Sequence, residues 1–166
     1  MQDKVLVIMG SDSDFPVMET CFRHLTDFGI SFEAKICSAH RTPELAAELA
    51  RTAADRGFGV IIAAAGLAAH LPGVLAAQTI LPVIGVPVKS GALAGQDALY
   101  AIVQMPTGIP VATVAIDGAA NAAILAAQIL ALQDEQLAGR LHRFKTRMAD
   151  SVAERQKRLE EKLHVR

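Results

Sequence analysis

The sequence predicts an α/β fold in which helices cover both faces of a parallel sheet, a three-layer α/β/α sandwich with a helical extension at its C-terminal end. Short apolar runs that stop at Gly or at a polar loop recur along the chain. Segments with apolar residues at helical spacing separate them. Most of the runs are apolar at successive positions, as strands buried on both faces are. Strands alternating with helices build βαβ units and hence a parallel sheet.

The elements follow in order. Lys4–Met9 (KVLVIM) reads as a buried strand ending at Gly10. From Asp14 to Phe28 the positions Val17, Met18, Cys21, Phe22 and Leu25 mark one helical face, and Gly29 ends it. Ser31–Cys37 alternates like a second strand. Thr42 as N-cap and Pro43 at the first helical position open a helix that runs to about Arg56 and stops at Gly57. Gly59–Ala65 is a third strand, followed by a loop over Gly66–His70 and a helix from Leu71-Pro72. Leu81–Val86 is a fourth strand, Gln96–Val103 a short helix, Val111–Ile116 a fifth strand, and Ala119–Leu132 a long helix. From Asp134 on, the chain is charged and helical, with Leu137, Leu141, Phe144, Met148, Val152 and Leu159 as an apolar seam. The tail is too polar all round to be core, so it is expected on the surface or against a neighbouring subunit. Residues 1–133 are then expected to form the α/β body and 134–166 a tail of the same domain, on the surface or in oligomer contacts.

Composition excludes several classes of function. The net charge is −1 with acids and bases interspersed, so no basic stripe offers itself to nucleic acid. The two cysteines, Cys21 and Cys37, are too few for a secreted disulfide scaffold and fit buried thiols in a reducing, cytoplasmic setting. Met1–Val5 shows no basic n-region or long apolar h-region, so no secretion signal is expected; Gly and Pro interrupt every long apolar stretch, so no membrane span is expected either.

Open α/β sheets bind ligands at the carboxyl ends of their strands. Three unusual segments fall there. Gly10-Ser11-Asp12-Ser13-Asp14 joins a Gly turn, two hydroxyls and a helix N-terminus, a natural anion seat. Ser11 and Ser13 can donate to phosphate and Asp14 can accept from sugar hydroxyls; a plain capping role for Ser13 or Asp14 stands beside that reading. Ser38-Ala39-His40-Arg41-Thr42-Pro43 sets an imidazole, which titrates near neutral pH, beside a guanidinium whose fork suits phosphate. His40 is the candidate acid/base, against the alternative that it satisfies a backbone carbonyl. Ala65–Gly73 carries His70 among small residues; taken alone, His70 reads as the cap of the helix that starts at Leu71. His24, His142 and His164 lie on helices and read as surface residues. No Cys, Asp or Glu accompanies His40 and His70 at metal-ligand spacing, so no metal is expected. Gly-x-Ser-x-Gly, Walker A and Gly-x-Gly-x-x-Gly patterns are absent, which disfavours a serine hydrolase, a P-loop protein and an NAD oxidoreductase.

Five motifs in order carry a resemblance: the segments at 10–14 and 38–43, Ala68-Ala69-His70-Leu71-Pro72-Gly73, Ile102-Val103-Gln104-Met105-Pro106, and Asn121 through Leu130. The chain resembles the phosphoribosylaminoimidazole carboxylase family, on its class I branch, from about Val5 to Leu132. The resemblance implies a flavodoxin-like fold, a homo-octamer, and a step of purine biosynthesis. In that step a carboxylate moves from the exocyclic nitrogen N5 of an aminoimidazole ribonucleotide to ring carbon C4, without metal or organic cofactor. A transient contact with the synthetase that makes the substrate is also implied. Residue by residue, it makes His40 the general acid/base. It makes Ser11, Asp14 and Arg41 nucleotide-binding positions, with Ser13 and Ser38 as further contacts at the phosphate end. It sets Gly66, Ala68 and His70 beside the imidazole and the migrating carboxylate. Two departures stand out: Leu67 occupies a position where members usually have Gly, and Ile116–Ala119 is shorter than in many members. The alternatives are a class II carboxylase that uses CO2 directly and a non-catalytic nucleotide-binding module; Arg41-Thr42-Pro43 and Ala69-His70-Leu71-Pro72 favour class I.

Overall fold

The computed structural model describes residues 3–164. Strand β1 (Lys4–Met9) leads through a single 3-10 turn (Asp12–Asp14) into α1 (Phe15–Asp27), then β2 (Phe32–Ile36) and α2 (Pro43–Thr52). Next come β3 (Phe58–Gly66), α3 (Leu71–Ala76), β4 (Val83–Val88), α4 (Gln96–Val103), the two-residue β5 (Ala112–Thr113), α5 (Ala119–Leu130) and α6 (Glu135–His164).

All five strands pair parallel in the order β2-β1-β3-β4-β5. This is the flavodoxin-like order, whose switch point lies between β1 and β3. Successive side chains of a strand face opposite layers, and the core divides accordingly. Val5, Val7 and Met9 pack with α1 and α5 on one face. Leu6 and Ile8 pack with α2, α3 and α4 on the other. Small residues let the layers close up: Ala119, Ala122, Ala123, Ala126 and Ala127 are the buried stripe of α5. A Cβ on Gly85 of β4 would stand 2.3 Å from Ile102 Cγ2 of α4. Cys21 and Cys37 are free and buried, as expected, and burial pushes the Cys21 thiol up to about 12, so it stays protonated and inert.

Two helices close on glycines in the same way. Gly29 (φ 66°) follows α1, with Ile30 N–H donating to Leu25 O at 2.9 Å and Gly29 N–H to Thr26 O at 2.9 Å. Gly57 (φ 86°) repeats the motif with Phe58 N–H to Ala53 O at 3.1 Å and Gly57 N–H to Ala54 O at 3.0 Å. The second motif corrects the expected end of α2: regular helix stops at Thr52, and residues 53–57 form the closing turn.

Three other elements differ from expectation by two residues or more at an end. β4 begins and ends two residues later than Leu81–Val86, and α5 stops at Leu130 rather than Leu132. β5 keeps only two of the six residues expected over Val111–Ile116. Val114 N–H still reaches Gly85 O at 3.1 Å and Asp117 N–H reaches Pro87 O at 2.8 Å. However, residue 87 is where β4 would next donate toward β5, and a proline has no N–H to give.

Helix α6 is capped by Asp134, whose Oδ1 accepts from Leu137 N–H at 3.0 Å. Its first half packs inward through Leu137 and Leu141. Phe144 meets the Phe28 ring edge-on at 5.4 Å. Beyond that point the seam is unburied: Met148, Val152, Leu159 and Leu163 are all exposed. Among the described residues, no helix is long and apolar enough to cross a membrane.

Candidate active site

The loop after β1 is shaped by a capping box. Ser11 takes an extended conformation and its Oγ accepts from Ser13 N–H at 3.3 Å. Asp14 Oδ2 accepts from Ser11 N–H at 3.1 Å in return. Thus Ser11 caps the 3-10 turn and Asp14 completes its box, while Asp14 also holds the N-cap position of α1 without making a capping bond there. Asp14 is a buried charged residue, 6% exposed. Burial raises its carboxyl above the ordinary value of 3.8, against the lowering effect of the Ser11 and Gly10 N–H groups.

The loop after β2 is a tight turn held by two hydroxyls. Thr42 Oγ1 donates to Ser38 O at 2.9 Å and accepts from Ser38 N–H at 3.1 Å. Ser38 Oγ accepts from Arg41 N–H at 3.3 Å and from Arg41 Nε at 3.4 Å. Thr42 occupies the N-cap position, with Pro43 first in the helix as expected, but its hydroxyl makes no cap bond to α2. Donor and acceptor are both spent on closing the turn that carries His40 and Arg41.

The loop after β3 is tighter still. Ala69 N–H donates to Leu67 O and His70 N–H to Ala68 O, each at 2.8 Å. Leu67 sits at φ 54°, in the left-handed region that favours glycine. His70 stands at the N-cap position of α3 but makes no capping bond with its side chain. That corrects the capping role expected for the residue taken alone. Its Nδ1 instead lies 2.8 Å from His40 Nε2, with the rings edge to face at 5.0 Å. A hydrogen bond between two imidazoles needs an N–H on one and a lone pair on the other.

These loops meet around one cleft of about 460 Å³. Ser11, Ser13, Asp14, Ser38, His40, Arg41, Gly66, Ala68 and His70 all line it. His24 does not; it lies on α1 with Nδ1 2.8 Å from Thr20 O, against Phe144. His142 and His164 are exposed on α6.

The model of one protein family, AIR carboxylase, matches residues 4–151, which span the whole sheet and every loop of the cleft. The chain belongs to the AIR carboxylase family. It is 58% identical over 155 residues to the N5-carboxyaminoimidazole ribonucleotide mutase of Pyrococcus horikoshii, covering 93% of this chain and 88% of that one. It is 54% identical over 158 residues to the protein of the same name from Thermotoga maritima, covering 95% and 92%. The crystal structure of Treponema denticola PurE superposes with a TM-score of 0.83 at 30% identity, over 93% of this chain and 97% of that one.

In this AIR carboxylase family chain the cleft also contains a residue that the sequence reading missed. Ser90 lines it from the carboxyl end of β4. Ending that strand at Val86 hid the signal; with the strand ending at Val88, the strand-end rule points to Ser90 as it does to the other loops. A larger hollow of about 660 Å³ lies between α1 and α6, lined among others by Arg140, Arg143, Phe144 and Arg147. It shares no residue with the cleft and stands away from the strand ends.

Proposed function

We propose that this chain is a mutase that converts N5-carboxyaminoimidazole ribonucleotide to the C4-carboxylated isomer in purine biosynthesis. One cleft at the sheet's switch point supports this most directly: it is lined by a phosphate-type cluster, an acid/base histidine and a small-residue loop. Relatives at 54% to 59% identity that bear the mutase name favour it over direct carboxylation.

Ser11, Ser13, Ser38 and Arg41 take the phosphate end, and Asp14 accepts from the ribose hydroxyls. The imidazole and its carboxylate then lie toward Gly66, Ala68 and His70. The N–C bond to the carboxylate breaks, CO2 departs, and the nitrogen takes a proton from His40. C4, enamine-like, attacks the CO2 trapped beside it, so a bimolecular encounter is replaced by a held pair. The C4 proton returns to His40 as the ring regains aromaticity. One proton leaves His40 and one comes back, so the cycle closes without net proton uptake. His70, bonded to His40, holds that imidazole in place between the two transfers. Ala39, Ala65 and Ala68 line the cleft with apolar surface, which disfavours water and bicarbonate near the CO2.

The same reading makes the protein a cytoplasmic homo-octamer that works without metal or organic cofactor. Residues 1–133 are its catalytic body and 134–166 a tail of the same domain that supplies subunit contacts. It also receives its unstable substrate through transient contact with the synthetase. The decisive experiment supplies purified protein with N5-carboxyaminoimidazole ribonucleotide or, separately, with aminoimidazole ribonucleotide plus CO2, and follows the C4-carboxylated product. Fast conversion of the first without dependence on added CO2 is expected. Turnover of the second alone makes the protein a direct carboxylase, and binding without turnover makes it a nucleotide-binding module.

A further inference from the structure

We propose that Ser90 is a further substrate-contacting residue, whose hydroxyl donates a hydrogen bond to the carboxylate as it passes from nitrogen to carbon. The inference rests on the mutase reading and adds a residue to it. Ser90 Oγ is buried and has no hydrogen-bond partner among the described residues. Buried hydroxyls are nearly always paired, and leaving one unpaired is unfavourable. Here the exception lies beside a cleft that Ser90 itself lines.

The surroundings of Ser90 are built to admit it. A Cβ on Gly66 would stand 2.6 Å from Ser90 Oγ and 3.3 Å from Val88 O. Gly66 is therefore bare where the hydroxyl lies against the chain. Rotation about the Cα–Cβ bond moves that hydroxyl among three staggered positions. Serine is the residue that can swap an idle orientation for a bonded one at little cost, having a single side-chain torsion to its oxygen and no branch to clash.

Topology says which part of the substrate it meets. The proposed phosphate and ribose contacts come from the loops after β1 and β2. The imidazole and carboxylate contacts come from the loop after β3. β4 pairs with β3 on the side away from β1, with Gly66 opposite Val88. Ser90, two residues past Val88, is thus at the carboxylate end of the cleft and far from the phosphate end. A carboxylate is acceptor-only, and a hydroxyl without another obligation is a matched donor.

The test is Ser90→Ala read three ways: thermal unfolding midpoint, kcat and KM with N5-carboxyaminoimidazole ribonucleotide, and Kd for two nucleotides, one carboxylated at C4 and one not. No intramolecular bond is lost, so the midpoint is expected to equal or exceed that of the parent. A hydrogen bond to a charged group gives about a ten- to hundredfold effect. Turnover should fall by that factor, and so should affinity for the C4-carboxylated nucleotide, while affinity for aminoimidazole ribonucleotide stays unchanged. A parent-like kcat and Kd overturn the inference, and so does a lowered midpoint with equal loss of affinity for both nucleotides, which marks a structural role. If the unaltered protein fails to convert the N5-carboxylated substrate, the mutase reading itself falls and this inference with it; if it converts that substrate and Ser90→Ala does too at full rate, only this inference falls.

Discussion

His40 and His70 are thirty residues apart in sequence, yet their ring nitrogens stand 2.8 Å apart. On the proposed mechanism, replacing His40 removes the proton carrier, and it takes away nothing buried, since the pair is exposed. His40→Asn should therefore unfold at the parent temperature and lose about two to four powers of ten in kcat. A variant with near-parent turnover would take His40 out of the mechanism. Asp14 is the opposite case, a buried carboxyl whose charge opposes folding. A raised folded-state value means the folded chain binds the proton more tightly than the unfolded chain. Its favourable contribution is complete below the ordinary value of 3.8 and is lost as pH rises through the raised value. Asp14→Asn keeps an oxygen to accept from Ser11 N–H but carries no charge. At pH 7 it should be as stable as the parent or more so, and its stability should vary less with pH in that acidic window. It should also bind nucleotide about tenfold or more weakly, as an acceptor that has lost its charge does. Denaturant titrations at pH 4 and pH 7 with a parallel binding assay decide this; a variant destabilised at pH 7 contradicts the sign. Leu67 shows why a residue can look out of place in sequence and be understood in structure: the chain there needs φ 54°, where glycine is at ease and leucine is not.

At the scale of elements, what the sequence reveals depends on where an element's limits are set. α1 carries its own stop signal in Gly29, and α1 and α4 fall close to or on the expected limits. The end of β5 is set by Pro87 on another strand, a partner that no local pattern in Val111–Ile116 announces. The site follows the same division. Three of its loops were legible because Gly, Ser and His cluster after recognisable strands. The hydrogen bond between His40 and His70 was not, because it depends on the β1–β3 and β1–β2 pairings that bring their loops together. Packing between elements gives a direct test. Gly85 leaves room for Ile102 and Val111, so Gly85→Ala forces a methyl into a space already occupied. Overpacking of this kind costs about 1–3 kcal/mol. The free energy of chemical unfolding should fall by that amount, with α4 displaced; an unchanged value would show that the α4 layer gives way freely.

Across the whole molecule, α6 stands apart. Its 30 residues span about 45 Å, and only the first half is anchored to the body, by Leu137, Leu141 and Phe144. Beyond Arg147 the helix exposes Met148, Val152, Leu159 and Leu163 while its other faces are charged. A chain cut after Arg147 keeps the anchors and should retain the parent circular dichroism per folded residue. It should also sediment as a smaller species if the tail supplies subunit contacts. An unchanged number of subunits would remove the outer part of α6 from the assembly.

The brevity of β5 has a consequence beyond topology. An open sheet ends in rows of unsatisfied amides that can recruit a strand from another molecule, the first step toward fibrils. β5 offers only two residues for such recruitment, and Pro87 beside it interrupts the donor row that would lengthen it. Pro87→Val supplies the missing N–H and should let the ladder grow, so that the variant, warmed at high concentration, gains thioflavin signal sooner than its parent. The proline thus doubles as a gatekeeper, sacrificing regular pairing within one molecule to discourage pairing between many.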